Sequence, residues 1–491
     1  MFTLYDEFAG YGGSTTGAVA VPGVEPLLAA NHNPNAIDVH ALNYPQVEHY
    51  RGDIAKADIA GFPRADLFWA SPACPPWTDA RGVKRDFDQS TQGVLFDPRT
   101  GPKALDPAVA RARALMEEVP RYLQAMRRKG RPVLGGVAEN VVQVVKWDEF
   151  GRWRRDIEEE GYHTRLVALN AMHVTGPRHG KVAQSRNRFF LPFWHVSLGR
   201  DPDWDKWLRP KAYCPTCDRV VDAVQRFKDP KVKMGVYGIR NGQYVYRCPN
   251  ISCRHQVIEP AVRPASDIID WSLPPGQRIG ERVDRKGNPD PLEPTTIARI
   301  EAGLAKQVRP LVVPVAKRAG VDTATSVEQP LRTQTCRRET GLVLPPFISL
   351  LRGGGSKTSH YPVDGPIPTV SAQGNHHGLV GAPESADEQA LLVAYYGNGG
   401  SIPVDRPVGT LTTRDRYALI SGTPPVETCT FRMLEPEEIG DGMNFPRSYR
   451  VLGSKRARVR GYGNAVPPAM AEVLVSALIE TFSGESLEPA A

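Results

Sequence analysis

Apolar residues in the first 200 positions fall in short runs, separated by stretches with helical spacing. Residues 2–5, 26–30, 66–70 and 133–138 are such runs, bounded by turn-forming residues, and they predict buried strands. Between the last two, 107–129 carries apolar positions at helical spacing, with Pro120 expected to kink or break the helix. Strands alternating with helices imply a parallel, doubly wound sheet. After residue 201 the pattern changes. Proline and glycine rise, helical periodicity fades, and short strand-like runs sit between turn signals. Helical spacing returns at 464–482, with prolines near the first turn, and the tail after 483 is expected to fray.

The middle region contains an internal repeat. Segments 311–343, 347–380 and 391–420 each run from an apolar strand through a Gly-rich or polar loop and a Pro-x-x-Thr element to a short apolar end. Repetition of this kind predicts stacked β-hairpin units.

A chain of 491 residues predicts two or three domains, and 41% apolar content excludes a disordered polymer. No apolar run approaches the ~20 residues that span a bilayer. The first residues lack a basic stretch followed by an apolar one, so no secretory signal is expected. The net charge of +7 suits a polyanionic partner, although many soluble proteins are mildly basic. Seven cysteines do not make a disulfide framework: four form two close pairs, and Cys74 stands alone among prolines.

Several segments can carry chemistry. Tyr5 to Gly13 is a Gly-rich turn between a strand and a helix, the usual place for a nucleotide-like cofactor, or simply a tight turn. Asn31 ends the second strand, where ribose hydroxyls are commonly bound, and Asp53-Ile54 follows a third strand-like region. Cys74 follows an apolar strand in a proline-stiffened loop. A nucleophilic thiol needs such a fixed site, but a buried structural cysteine fits the local sequence equally well. Glu139 sits at the carboxyl edge of a predicted strand. Arg186 and Arg188 share one face by alternation, either toward a pocket or toward solvent.

In this order the segments resemble the DNA cytosine-5 methyltransferase family. Phe8-Ala9-Gly10-x-Gly12-Gly13 resembles its cofactor loop, and Pro72-Ala73-Cys74 resembles its Pro-Pro-Cys nucleophile motif. Glu139-Asn140-Val141, Gln184-x-Arg186-x-Arg188 and Gly463-Asn464-Ala465-Val466-Pro467-Pro468 match three further motifs, and Arg406-Pro407-x-x-Thr410 resembles the element closing the recognition region. The resemblance covers roughly 1–195 and 405–480. Two positions depart from it: Pro75 stands where the family usually has Gln, and Asn31 where it usually has an acid. These departures point to a divergent branch, of a kind found in phages or mobile elements.

The resemblance implies an α/β fold: a Rossmann-like methyltransferase domain that uses S-adenosylmethionine, with an inserted β-rich target-recognition domain. It also implies transfer of a methyl group to C5 of cytosine in double-stranded DNA, at a specific sequence. The Cys74 thiolate would add to C6, Glu139 would hold or protonate N3 and contact the exocyclic amine, Arg188 would contact O2, and Arg186 would support the loop. Phe8, Gly10, Gly12, Asn31, Asp53, Ile54 and Asn464 would hold the cofactor. The target base must leave the duplex at a cost of a few kcal/mol. Segment 75–103, with Arg81, Lys84, Arg85 and Arg99, would close over the DNA.

Cys214-x₂-Cys217 and Cys248-x₄-Cys253 have spacings that can bring four thiolates to a tetrahedral Zn²⁺ of structural type, with His255 as a possible substitute ligand. This zinc ribbon is not a standard part of the family.

The expected organisation is therefore a catalytic domain over 1–200, a recognition region over 201–424 with the ribbon at 210–258, a return of the catalytic domain over 425–482, and a flexible tail. A monomer in the cytoplasm of a bacterial or phage-infected cell is expected, with or without a partner restriction enzyme. An RNA cytosine methyltransferase, a catalytically dead DNA-binding relative, and transfer of a group other than methyl remain open alternatives.

Overall fold

The computed structural model describes residues 1–73, 111, 113–268, 270–274, 276–292, 294, 297–298, 311–314, 324–327, 329–332, 340–344, 347–350, 360–362, 377–380, 391–394, 401–403, 417–419 and 426–490. Cys74, segment 75–103 and the Arg406–Thr410 element lie outside the described residues. The chain forms two compact units. One comprises Met1–Ile268, Pro330–Arg338 and Glu435–Ala491, and the other Ile269–Gln329 and Glu339–Leu434.

The first unit is built on an eight-stranded sheet. β1 (Phe2–Glu7), β2 (Val24–Asn31), β3 (Glu48–Arg51), β4 (Leu67–Ala70) and β5 (Gly135–Asn140) are mutually parallel. β6 (Tyr162–Thr164) and β7 (Val167–Asn170) both pair antiparallel with β8 (Asn187–His195), which itself runs antiparallel to β5. The spatial order is β3-β2-β1-β4-β5-β8-β6. The chain winds outward from β1 to β2 and, through α2 (Pro34–Asn43), to β3, then returns to β4 on the other side of β1. Strand order therefore reverses between β1 and β4, and ligands of such sheets bind outside the carboxyl ends at that point.

Alternation along the strands divides the core into two layers. Leu4, Leu67, Trp69, Val137 and Phe190 face one side, while Tyr5, Phe68, Ala70, Ala138 and Phe189 face the other. The second layer is covered by α3 (Glu118–Arg128) through Val119, Tyr122, Leu123 and Met126, and by α4 (Phe150–Glu159) through Trp153 and Ile157. Pro120 does interrupt the predicted helix: a 3₁₀ turn, Leu115–Glu117, runs directly into α3, and the Met116 carbonyl, which an N–H at position 120 would have taken, accepts instead from Trp153 Nε1 at 2.7 Å.

The first layer is covered by α1 (Gly13–Val19) and by the last helix, Pro468–Ser483. That helix is apolar around nearly its whole circumference because it is a core helix, with proline at its start and left-handed Gly484 at its end. It approaches α1 closely: a Cβ on Gly17 would lie 2.1 Å from the Pro468 carbonyl oxygen. Removing a fully buried side chain here, as in Leu478→Ala, costs about 2–5 kcal/mol.

The first residues after the last helix make hydrogen bonds back to it. Leu487 N donates to Glu480 Oε1 at 2.6 Å, and the same carboxylate receives Trp207 Nε1 and Lys206 Nζ. An acid one turn before the helix end thus supplies the acceptor that holds the following residues.

The boundaries also differ from the sequence expectation. Residues 201–268, which include the paired cysteines, share a core with the sheet: Ala212, Tyr244, Tyr246 and Cys248 lie in one buried cluster with Ala168 and Phe189. The return to the first unit begins at Glu435, because Thr430–Met433 is a strand of the second unit.

The second unit contains three similar antiparallel elements, one from each repeated segment. In each, the first strand is central and pairs with the next two: Leu311–Pro314 with Thr325–Ser326 and Thr340–Leu344; Phe347–Leu350 with His360–Pro362 and His377–Val380; Leu391–Ala394 with Ser401–Pro403 and Tyr417–Leu419. Among the described residues, only the first is extended, by Thr430–Met433 and Gln277–Arg278.

Candidate functional site

Three loops leave the carboxyl end of the sheet side by side. After β1 the chain turns through left-handed residues at Phe8 (φ 63°), Gly10 (φ 55°) and Gly12 (φ 73°). Gly12 caps α1, and a Cβ there would stand 2.8 Å from His40 Cδ2 and 2.9 Å from Tyr449 Oη. Only glycine combines that φ with that proximity. Asn31 ends β2. Its Oδ1 accepts from Asn33 N at 2.9 Å, and its carbonyl accepts from Gly52 N at 3.2 Å, which ties the second loop to the third. Asp53 caps a turn of 3₁₀ helix and pairs with Arg111 at 3.0 Å, which holds its carboxyl below the usual range. Ile54 is buried in the cluster against which Phe8 packs.

Asn464 is exposed at the end of the helix Lys455–Asn464. Its neighbours connect it to the rest of the site. Arg186, 2% exposed, donates from Nη2 to the carbonyls of Gly463 (3.1 Å) and Ala465 (3.2 Å). The Val466 carbonyl approaches so near to Gly13 that a Cβ there would lie 2.0 Å from it. The final motif is thus fastened between the arginine segment and the start of α1.

Sequence reasoning missed two buried acids on β1. Oδ2 of Asp6 accepts from Ser14 Oγ (2.5 Å) and Thr15 Oγ1 (2.6 Å), and burial pushes its pKa up to about 6. The Thr15 oxygen can then accept from His40 Nε2 at 3.0 Å, which leaves His40 Nδ1 to accept from His49 Nε2 at 2.8 Å. Burial holds His40 neutral, with its pKa down to about 3. Glu7 accepts from Tyr5 Oη at 2.9 Å, and burial raises its pKa to about 8. Among the described residues, Asp6 Oδ1 and Glu7 Oε2 are buried with no hydrogen-bond partner. An Asp at a strand end followed by Ser-Thr in the first helical turn was the available signal.

These residues fit S-adenosylmethionine. The glycine turn lets a ligand approach the main chain, half-buried Phe8 offers apolar surface with Ile54 packed beneath it, and Asn31 stands at the second strand end. Orphaned carboxyl oxygens lie at the end of β1, near where a cationic cofactor would bind.

Beyond β4 and β5, at the same edge, are the groups expected to act on a base. Arg188 Nε stands 2.9 Å from Glu139 Oε1, with side chains 14% and 12% exposed. Asn140 turns the other way. Its Nδ2 donates to the Pro72 carbonyl at 3.2 Å, two residues before Cys74, while Ser71 N donates to the Glu7 carbonyl. The described part of the proline loop is therefore pinned to both β1 and β5. The arginines do not share a face as alternation suggested. Arg186 lies between the short strand Gln184–Ser185 and β8, and it turns inward to the Gly463–Ala465 carbonyls while Arg188 reaches Glu139.

The four paired cysteines come together. All four Sγ atoms lie within 4.8 Å of one another, and Cys217 and Cys248 are 3.8 Å apart. Zn–S bonds of about 2.3 Å in a tetrahedron give S···S edges of about 3.8 Å. Gln256 Nε2 donates to Cys214 Sγ at 3.1 Å, and Asn250 Nδ2 to both Cys217 and Cys248 at 3.5 Å, which suits thiolate ligands. His255 is not part of the cluster: its Nδ1 contacts the Cys248 carbonyl.

Residues 2–200 match the family model of the C-5 cytosine-specific DNA methylase. No curated protein matches the sequence. Among solved structures, the chain is similar to S. pombe Dnmt2 methyltransferase (11% identity, TM-score 0.47, covering 98% of this chain and 100% of that one). It is also similar to a mutant of Spodoptera frugiperda DNMT2 (15%, 0.45, 98% and 100%). A third is described as a DNA modification methyltransferase encoded within an E. coli prophage (14%, 0.42, 98% and 99%). The mixed α/β fold with its central parallel sheet is thus carried by the same residues, 2–200, that match the C-5 cytosine-specific DNA methylases, a family whose methyl donor is S-adenosylmethionine.

Proposed function

We propose that the chain methylates C5 of cytosine in double-stranded DNA, at a specific sequence, through a covalent bond between Cys74 and C6 of a flipped base. The observation that carries this reading is the common edge. Glu139 and Arg188 form an ion pair there, and Asn140 of the same strand holds the loop that leads into Cys74.

Cytosine C5 is a poor nucleophile. Addition of the Cys74 thiolate at C6, with Glu139 giving a proton to N3 and contacting the exocyclic amine, gives C5 enamine character; the N3 proton returns to Glu139 when the thiolate leaves. S-adenosylmethionine, when bound, supplies the electrophilic methyl group. Loss of the C5 proton to a base or water then expels the thiolate and restores the ring. Arg188 orients Glu139 through their ion pair and would contact O2 of the base. Arg186 fastens the final motif behind it. Phe8, Gly10, Gly12, Asn31, Asp53, Ile54 and Asn464 would hold the cofactor. Cys214, Cys217, Cys248 and Cys253 would hold a structural zinc ion, which four protein ligands leave without an open position.

The repeated β elements of the second unit would read the target. DNA bears charge at regular spacing, and a chain with net charge +7 suits it. The test is to sequence DNA and RNA from cells expressing the chain, with a readout for 5-methylcytosine. The reading expects the mark in DNA at one short sequence. A mark confined to RNA, or none in either, contradicts it.

A further inference from the structure

The four-cysteine module stands outside the methyl-transfer chemistry, yet it is bonded to the residue between the two arginines. The module comprises two hairpins. β9 (Lys211–Cys214) pairs with β10 (Arg219–Asp222), and β11 (Val224–Phe227) pairs with β12 (Tyr244–Arg247). Cys214 ends β9 and Cys248 follows β12, so a bound metal would clamp the two hairpins at one end.

The remainder of the module grips the catalytic sheet. Tyr237 N donates to Asn187 Oδ1 at 3.0 Å, and that oxygen also accepts from Asn170 Nδ2 at 3.1 Å. Oδ1 of Asn170, a residue 1% exposed, accepts from Arg186 N at 3.0 Å. Gln225 Nε2 donates to the Ala168 carbonyl at 2.7 Å, on the strand paired with β8. The His173 ring stands edge-on to Tyr237 (4.3 Å) and Tyr246 (5.1 Å). A continuous set of hydrogen bonds thus runs from the module to the main chain of Arg186 and to Asn187, next to Arg188.

We infer that the cysteine module is a metal-tightened bracket that positions Arg186 and Arg188, with Asn187 as the positioning residue through which it acts. This rests on the reading of the four cysteines as a metal site. Outer contacts that orient a working group are worth about 10–100-fold in activity, and that is the scale expected here. A module serving only to read DNA would have no reason to bond the arginine segment from behind.

The experiment uses the full-length protein, with zinc content measured by elemental analysis before and after chelation. Hydrogen exchange at 170, 186–189 and 237 is followed with and without metal. Chelation is expected to raise exchange at these amides and leave β1 unchanged. Asn187→Ala should keep its zinc, lower kcat by about 10–100-fold and leave KM for S-adenosylmethionine nearly unchanged. Asn187→Asp retains the acceptor oxygen and should restore most of kcat. If metal is present and its removal leaves exchange unchanged, or if Asn187→Ala turns over like the parent, the bracket is wrong. If the purified protein holds no metal and all four thiols titrate freely, the metal reading itself fails and takes the bracket with it.

Discussion

Arg188 Nε and Glu139 Oε1 meet at 2.9 Å, where the carboxyl end of β5 lies beside the start of β8. Both side chains are largely shielded from water, and the pair fixes the direction in which Glu139 points. A base entering the site would find an acceptor for its exocyclic amine already in place.

Glu139→Gln keeps the shape and removes the charge. It should leave the fold and cofactor binding intact while lowering methyl transfer by ~10²–10⁴-fold, measured in single turnover. Binding without loss of turnover would show that the carboxylate does not act on the base.

Arg186 predicts an effect on stability. Its guanidinium serves the carbonyls of Gly463 and Ala465 in a buried position. Arg186→Met leaves both without that donor and should cost about 1–3 kcal/mol. Denaturant midpoints of parent and variant at equal slope measure it.

Gly12→Ala tests the cofactor turn. A left-handed φ costs a non-glycine residue about 1–2 kcal/mol, and the added methyl would press on His40 and Tyr449. Calorimetry should show weaker S-adenosylmethionine binding. The control Gly23→Ala also has positive φ but nothing near its Cβ, so it should lose stability without losing affinity.

Glu7 makes stability depend on pH. Its folded pKa, about 8, lies above the unfolded value near 4.5, so the folded state retains a proton that the unfolded state releases. Stability is therefore greatest below about pH 4.5 as far as this group is concerned, and it declines as pH rises toward 8. Asp6 adds a decline of the same sign up to about pH 6. Glu7→Gln removes the larger effect and should gain a few kcal/mol at pH 8 relative to the parent, with little difference at pH 5. Thermal midpoints across that range check it; equal slopes for both proteins would contradict it.

Much of the sheet was legible because local pattern and tertiary role coincide there. The runs at 2–5, 26–30, 66–70 and 133–138 are apolar because both faces of a parallel strand are covered. The strand pattern of the repeat was also legible, since each segment carries its own central strand and partners. Packing partners chosen across long separations were not. Nothing local to 210–258 shows that Tyr237 bonds Asn187. The same holds for Arg186, whose acceptors lie 277 and 279 residues away. Asp6 and Glu7 were passed over because burial, not residue type, makes them unusual.

The central claim is that the Cys74 sulfur bonds to C6 of the target cytosine. Duplex DNA containing 5-fluorocytosine tests it, since fluorine at C5 cannot leave as a proton does and the adduct is trapped. With S-adenosylmethionine present, the account predicts a protein–DNA complex that survives denaturation, whose mass places the DNA on the peptide containing Cys74, and no such complex for Cys74→Ser. A parent that methylates ordinary DNA yet forms no adduct, or a Cys74→Ser protein that methylates as well as the parent, would contradict it.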